Sequence, residues 1–445
     1  MDKFLWKDSI DQYKKLTPGS KNAYDRAKNV IPGGVNQNAR HYNPYPLFVK
    51  SAQGQYIWDV DQNKYCDYWM GHMALVLGHS PQIVVDKLIP QIPDGTHFGF
   101  PNLASVDLSE LIAKVLPSCE MTRFSNTGAE ATMYACRLAR GYTGKKIIIK
   151  IQGGWHGFNP ILMKSVWPPY DAVDSLGLLE EDVKYTVAIP YNDSEKASEV
   201  INNLRDDLAA VIVEPILGSG CIPADPDFLS TIREETKKVG ALFILDEIIT
   251  GFRISLGGAQ KHYKIDPDIT TFGKVLGGGL PLGSISGPKE LLELSSPRTG
   301  KLKNERVGIG GGTFSGNPVT MNSGLATLTY LMKNESKVYS SLEKKGNIAR
   351  QGIQKAFEDT KFNVKTSGLG SLFYTHFLSP DQSLPQNALD YDETDKRTLK
   401  SYHMALLSYY QIAFLPTHTA AISFAHTDED VNHLISSSEK LAASQ

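Results

Sequence analysis

The amino-acid sequence predicts an α/β protein whose main core is a mostly parallel sheet covered by helices on both faces. From about residue 105, short and fully apolar runs alternate with amphipathic helical stretches. Apolar runs without polar alternation mark strands buried on both faces, and intervening helices return successive strands in parallel. At 445 residues the chain also exceeds what one compact core usually holds, which points to two interlocked domains.

The elements follow in order. Residues 8–31 read as a polar helix, broken by Pro32-Gly33-Gly34. Residues 47–69 alternate as a hairpin that turns near Asp61-Gln62-Asn63, with aromatic side chains on its strands. A helix at 105–115 and a strand at 121–124 come next, followed by a helix at 128–142 and a strand at 146–151. A strand at 209–213, a helix at 227–239 and a strand at 241–245 continue the rhythm. After residue 316 a long helical stretch carries an Ala/Leu/Met face, and residues 367–425 hold short strand-like runs around a helix at 395–410. The large domain is expected at 76–325. A smaller α+β domain is expected to be assembled from 1–75 and 326–445.

Composition narrows the function classes. Hydrophobic content of 41% and charged content of 21% are ordinary for a globular protein. A net charge of −2 gives no electrostatic case for nucleic acid or an anionic membrane. Lys344-Lys345, and Lys301 with Lys303, are short clusters that read as solvated faces. The first fifteen residues are charged throughout, and no stretch approaches the roughly 20 apolar residues of a membrane helix. Cys66, Cys119, Cys136 and Cys221 are scattered without CxxC or Cys/His spacing, so a reducing cytoplasm is expected, with neither disulfides nor a metal site.

Four segments carry chemistry. In Thr270-Thr271-Phe272-Gly273-Lys274-Val275-Leu276-Gly277-Gly278-Gly279, a lysine sits among apolar residues and before three glycines. Burial depresses a lysine's pKa and makes it nucleophilic, as a Schiff-base lysine requires, and glycines let backbone approach a flat ligand. A P-loop is excluded because Val275 follows the lysine; a glycine-rich turn with an incidental lysine is the other reading. Asp246 ends the apolar run 241–245, at the strand edge where doubly wound sheets bind ligands. It suits a protonated ring nitrogen, the electronic requirement of pyridoxal phosphate, or else a metal or a strand-end cap. Residues 125–130 place Thr127, Gly128 and Ala129 at a helix N-terminus, as a phosphate cradle, a capping box of Thr127 with Glu130, or both. Trp155 follows the strand at 146–151 and suits stacking on a ring, while His156 beside it is a hydrogen-bonding or structural histidine. Each segment lies at a strand end of one βαβ series, so all four would face one crevice, and together they match the needs of pyridoxal phosphate.

These residues, with Val213-Glu214-Pro215, Asp246 to Arg253, Leu75 to His79, residues 312–318 and Ala425-His426-Thr427, resemble the class III, fold type I pyridoxal-phosphate aminotransferases. Within them the sequence is most similar to the glutamate-1-semialdehyde aminomutases. The resemblance covers nearly the whole chain and implies a seven-stranded, mostly parallel sheet in the large domain. It implies that Lys274 carries the cofactor and moves the proton, and that Asp246 binds the ring nitrogen. Ile248 would pack beneath the ring and Trp155 above it, where the family usually has Tyr or Phe. Thr127, Gly128 and Ala129 would hold the phosphate, with Ala129 replacing a common threonine, and His156 and Glu214 would join the cofactor site. Thr313 would reach the phosphate of a neighbouring subunit, which implies a homodimer with shared active sites. Arg40 would take the anionic group of a small amino substrate. Two substrate-side positions depart from the aminomutase pattern: His72 stands where it has tryptophan and His418 where it has glutamate. The expected reaction is therefore amino transfer by a transaminase or aminomutase, with an ammonia-lyase or epimerase as the alternative. A non-catalytic relative is disfavoured because Lys274 and Asp246 are both present.

Overall fold

The computed structural model describes Trp6, residues 8–300 and residues 305–445. Lys301, Lys303, residues 1–5 and Lys7 lie outside the described residues. The chain divides into two compact units, one made of 82–339 with 385–392, the other of 1–81, 340–384 and 393–445.

The larger unit is organised around seven strands: β1 (Met121–Ser125), β2 (Ile147–Ile151), β3 (Thr186–Ile189), β4 (Leu208–Val213), β5 (Leu242–Asp246), β6 (Ile269–Gly273) and β7 (Gly283–Gly287). Their order across the sheet is β1-β7-β6-β5-β4-β2-β3. Neighbours from β6 to β3 pair in parallel, and only β7 runs antiparallel, to both β6 and β1. The sequence reading gave ranges to four of these strands and none to β3, β6 or β7. β7 is Gly-Ser-Ile-Ser-Gly, with no apolar run to announce it, yet every residue is buried because strands flank it on both sides. β3 is only four residues long at the sheet edge.

Side-chain alternation splits the core in two. Leu242 and Ile244 of β5 join one cluster with Ala131, Ala135 and Leu138 of helix α1 (Gly128–Thr143). Phe243 and Leu245 join another with Ala197 and Ile201 of α2 (Ser194–Asn203) and Phe228, Leu229 and Ile232 of α3 (Pro226–Val239). Helices therefore cover both faces, which is why the strands read as unbroken apolar runs. Each helix is bounded by its own chemistry. Thr127 and Glu130 form a capping box before α1, and Asp225 caps α3 with Pro226 in its first turn. Gly144 and Gly240 end them in left-handed geometry.

The smaller unit holds two sheets. Val49–Gln53, Tyr56–Asp59 and Lys64–Asp67 form an antiparallel meander that Ile412–Ala413 joins in parallel. Residues 47–69 therefore contain two turns, the first at Gly54 with φ 58° and the second at the expected 61–63. The second is built by Asp59, whose carboxylate accepts from the backbone amides of Asp61 and Asn63. The helix expected at 8–31 is two helices, Asp8–Leu16 and Pro18–Ala27, because Pro18 cannot continue the first. The long stretch after 316 is likewise two helices, α4 (Pro318–Lys333) and Glu335–Ala356. All four cysteines are buried free thiols. Among the described residues no helix is long and apolar enough to cross a membrane.

Candidate active site

The carboxyl ends of β1, β2, β4, β5 and β6 bring the chemistry-bearing residues together. Asp246 closes β5 and is 4% exposed. Its Oδ1 accepts from Thr271 Oγ1 at 2.9 Å and from the Ile248 amide at 3.1 Å, and its Oδ2 accepts from His156 Nδ1 at 2.7 Å. A carboxylate offers roughly four acceptor positions, so one, on Oδ2, remains for another donor. His156 is fully buried, and burial lowers its pKa, which keeps the ring neutral beside the carboxylate. With the proton on Nδ1, the lone pair of His156 sits on Nε2, which is buried without a hydrogen-bond partner among the described residues.

Lys274 follows β6, the strand beside β5, where Asp246 pairs in register with Thr271. Its φ of 43° is left-handed, a conformation that costs a non-glycine residue about 1–3 kcal/mol and collects at functional sites. Burial lowers its pKa to about 8, against the opposing pull of the Asp246 and Glu214 charges. Among the described residues no group hydrogen-bonds or ion-pairs with its ammonium. Ile248 fills the floor next to it: a Cβ on Gly273 would lie 3.1 Å from Ile248 Cδ1, and one on Gly128 would lie 2.9 Å from the same atom. One of the glycines after Lys274 is fixed by packing. A Cβ on Gly278 would sit 2.4 Å from Ser323 Oγ, because this turn presses on helix α4.

At the N-terminus of α1 the cradle and the capping box coexist. Glu130 accepts from the Asn126 and Thr127 amides, and Thr127 Oγ1 accepts from the Glu130 amide. That leaves the Gly128 and Ala129 amides, among the described residues, as open donors at the positive end of the helix dipole. Gly157 packs on Ala129, since a Cβ there would meet the Ala129 Cβ at 2.4 Å. Trp155 is half-buried beside Phe158 and Trp167, and its amide donates to Glu214 Oε2 at 2.7 Å. Burial first, then the Asp246 charge, pushes Glu214 up to about 8.

Among the described residues Thr313 makes no hydrogen bond to this group. It is exposed on the rim of a cavity of about 470 Å³ whose walls include His97, Phe100, Asn102 and Arg123. Arg40, His72 and His418 belong to the smaller unit, and there they form a cluster. Arg40 Nε donates to His72 Nε2 at 3.5 Å, and the Trp69 ring packs against both His72 and His418, at 4.3 and 5.4 Å between centroids. Burial lowers the pKa of His418, whose Nδ1–H donates to the Pro416 carbonyl at 2.9 Å. Met70, His72 and Met73 all have φ between 46° and 64°, a strained turn that presents His72. Sequence reasoning missed Trp69, which lies three residues from His72 in a run of aromatics with no periodicity to single it out. It also left Glu247 without a role: that carboxylate is fully buried and accepts from the Ala259 and Gln260 amides and from Thr250.

An open acceptor beside a buried histidine, a lysine without a partner and a helix N-terminus with free amides ask for one ligand. It must bring a protonatable ring nitrogen, an aldehyde and a phosphate. Pyridoxal phosphate meets all three requirements. The chain belongs to the class III aminotransferases, whose family model matches residues 37–393. It is 39% identical over 422 residues, 94% of this chain and 97% of the relative, to a glutamate-1-semialdehyde 2,1-aminomutase of Methanosphaera stadtmanae. Among solved structures it is similar to an omega-transaminase from Sphaerobacter thermophilus, with a TM-score of 0.88, 29% identity and 97% and 98% of the two chains covered. It is also similar to a β-phenylalanine aminotransferase from Variovorax paradoxus, with a TM-score of 0.87, 29% identity and coverage of 98% and 96%. The protein is thus a pyridoxal-phosphate-dependent aminotransferase or aminomutase.

Proposed function

We propose that this enzyme is a transaminase for a small amino acid whose anionic group is taken by Arg40. The observation that carries the reading of the site is the acceptor position on Asp246 left open among the described residues, on the strand beside the one that leads to Lys274, which has no partner among them either. When bound, pyridoxal phosphate supplies an electrophilic aldehyde and an electron-withdrawing pyridinium ring. Asp246 holds the proton on the ring nitrogen, and neutral His156 keeps that carboxylate oriented. The Gly128 and Ala129 amides and the Thr127 hydroxyl would hold the phosphate, and Ile248 and Trp155 would enclose the ring. Lys274 Nζ would hold the aldehyde carbon and, as the free amine, would remove the proton from the substrate carbon that bears nitrogen. Glu214 is protonated at neutral pH and holds the Trp155 backbone in place.

Arg40 is suited to an anion because a guanidinium matches carboxylate geometry, and among the described residues no carboxylate pairs with it. Replacement of the aminomutase tryptophan and glutamate by His72 and His418 favours release of an oxo product over return of the amine to the same molecule. Aminomutase activity is the second reading, supported by 39% identity to an enzyme of that name. The enzyme acts as a cytoplasmic homodimer in which Thr313 of one subunit serves the phosphate of the other. The exposed Ile89, Ile92, Phe98, Phe100, Leu103 and Phe314 of the larger unit support an apolar subunit contact.

The test is a single-turnover absorption experiment on the holoenzyme with a panel of α-, β- and ω-amino compounds and identification of products. Bleaching of the cofactor band with one equivalent of oxo product is expected. Return of the band with an isomer or ammonia replaces this reading by aminomutase or lyase chemistry.

A further inference from the structure

Lys150 is the fourth residue of β2 and has no exposed surface. An ammonium has three N–H donors. Those of Lys150 go to the carbonyl oxygens of Gly154 at 2.9 Å, Leu162 at 3.0 Å and Lys164 at 2.8 Å. The buried cation is thus hydrogen-bonded by peptide dipoles alone, without a carboxylate, and none of its donors is left for a ligand. The three carbonyls lie at the two ends of the 152–164 segment, which leaves the sheet after Ile151. Between them sit Trp155 and His156. The Gly153 amide reaches the Ser165 carbonyl at 2.8 Å, and Thr132 Oγ1 donates to the His156 carbonyl at 2.7 Å. The Gly153 bond also joins the two ends, through one donor at their base, whereas the Lys150 ammonium gathers three carbonyls from both ends at a common centre.

We infer that Lys150 is a positioning residue for amino transfer: its ammonium clasps the 152–164 segment and so sets Trp155 and the His156–Asp246 pair. It touches neither cofactor nor substrate. The inference rests on the roles proposed above for Trp155 and Asp246. No other side chain reproduces the clasp. Methionine matches the length of lysine but leaves three buried carbonyls without donors. Arginine keeps the charge but spreads its donors over a planar fork that cannot converge on one point.

The experiment compares wild type with Lys150→Met and Lys150→Arg. In the cofactor-free protein, hydrogen exchange is followed at the amides of 152–164 and, as a control, at those of β5. In the loaded enzyme, kcat, KM and the pH midpoint of the cofactor's absorption change are measured. Lys150→Met is expected to speed exchange in 152–164 by at least about 10-fold with β5 unchanged. It is also expected to shift the absorption midpoint and to lower kcat roughly 10–100-fold, with KM little changed, as a misplaced group would. Lys150→Arg should shift the same quantities by less, and it carries the test if the methionine variant does not fold. A lower melting temperature with wild-type exchange, midpoint and kcat overturns the inference. Trp155→Ala and Asp246→Ala separate the two layers. If those variants leave midpoint and kcat untouched the site reading fails, while the exchange data still report on the clasp.

Discussion

The pKa of Lys274 follows from where it sits, because a buried ammonium without a partner is penalised relative to the free amine. A value lowered to about 8 means that roughly half of the lysine is nucleophilic near pH 8 rather than near 10.5. Capture of pyridoxal phosphate by the cofactor-free enzyme should therefore rise with pH through about 8, followed by stopped-flow absorbance, and a midpoint near 10 would contradict the burial. Asp246→Asn replaces an acceptor by an amide whose NH₂ must face donors at Thr271, Ile248 or His156. A loss of kcat on the order of 10²–10³ is expected, since a preorganised charge is removed from the reacting system. Glu214 has the opposite linkage to the lysine. Its pKa rises from 4.5 to about 8 on folding, so the native state binds the extra proton between those values. The stability it contributes is fully present below pH 4.5 and is lost as pH rises through about 8. Urea unfolding at pH 5 to 8 should show wild type losing stability relative to Glu214→Gln across that window, and parallel curves would place the carboxyl in a more polar setting.

Helix α1 does two jobs at its first turn, and they can be separated. Thr127→Ala removes the cap from the Glu130 amide and should cost about 1 kcal/mol in thermal or urea unfolding. It should also weaken cofactor affinity, measured by equilibrium dialysis, while Thr127→Ser keeps most of both. Unchanged affinity in the alanine variant would leave Thr127 as a cap only. Much of this level was legible in the chain. The capping box, Pro226 after Asp225, and the glycines at 144 and 240 mark helix ends by local chemistry that needs no partner. β7 was not legible, because small residues become a central strand only when β1 and β6 close around them. The roles of Gly273 and Gly278 were hidden for a similar reason. What they make room for, Ile248 in one case and Ser323 in the other, is far away in sequence or on another element.

Several large apolar residues of the larger unit are exposed, Phe100 by 81% and Leu103 by 80%, which is costly in water when they gather on one face. Phe100→Asp should convert a dimer into monomers in sedimentation velocity and lower cofactor affinity along with it. A monomeric wild type would remove the proposed role of Thr313. The residue types of the cofactor site could be read from the chain because pyridoxal phosphate demands fixed chemistry: a lysine, a carboxylate and a helix N-terminus, each at the end of an apolar strand. Those demands are local and leave local marks. Which acceptor of Asp246 stays open, how Lys150 is satisfied and why Trp69 stands between His72 and His418 depend on groups up to hundreds of residues apart. Only the folded chain decides such matters, since a buried polar group takes its meaning from the partners that packing brings to it.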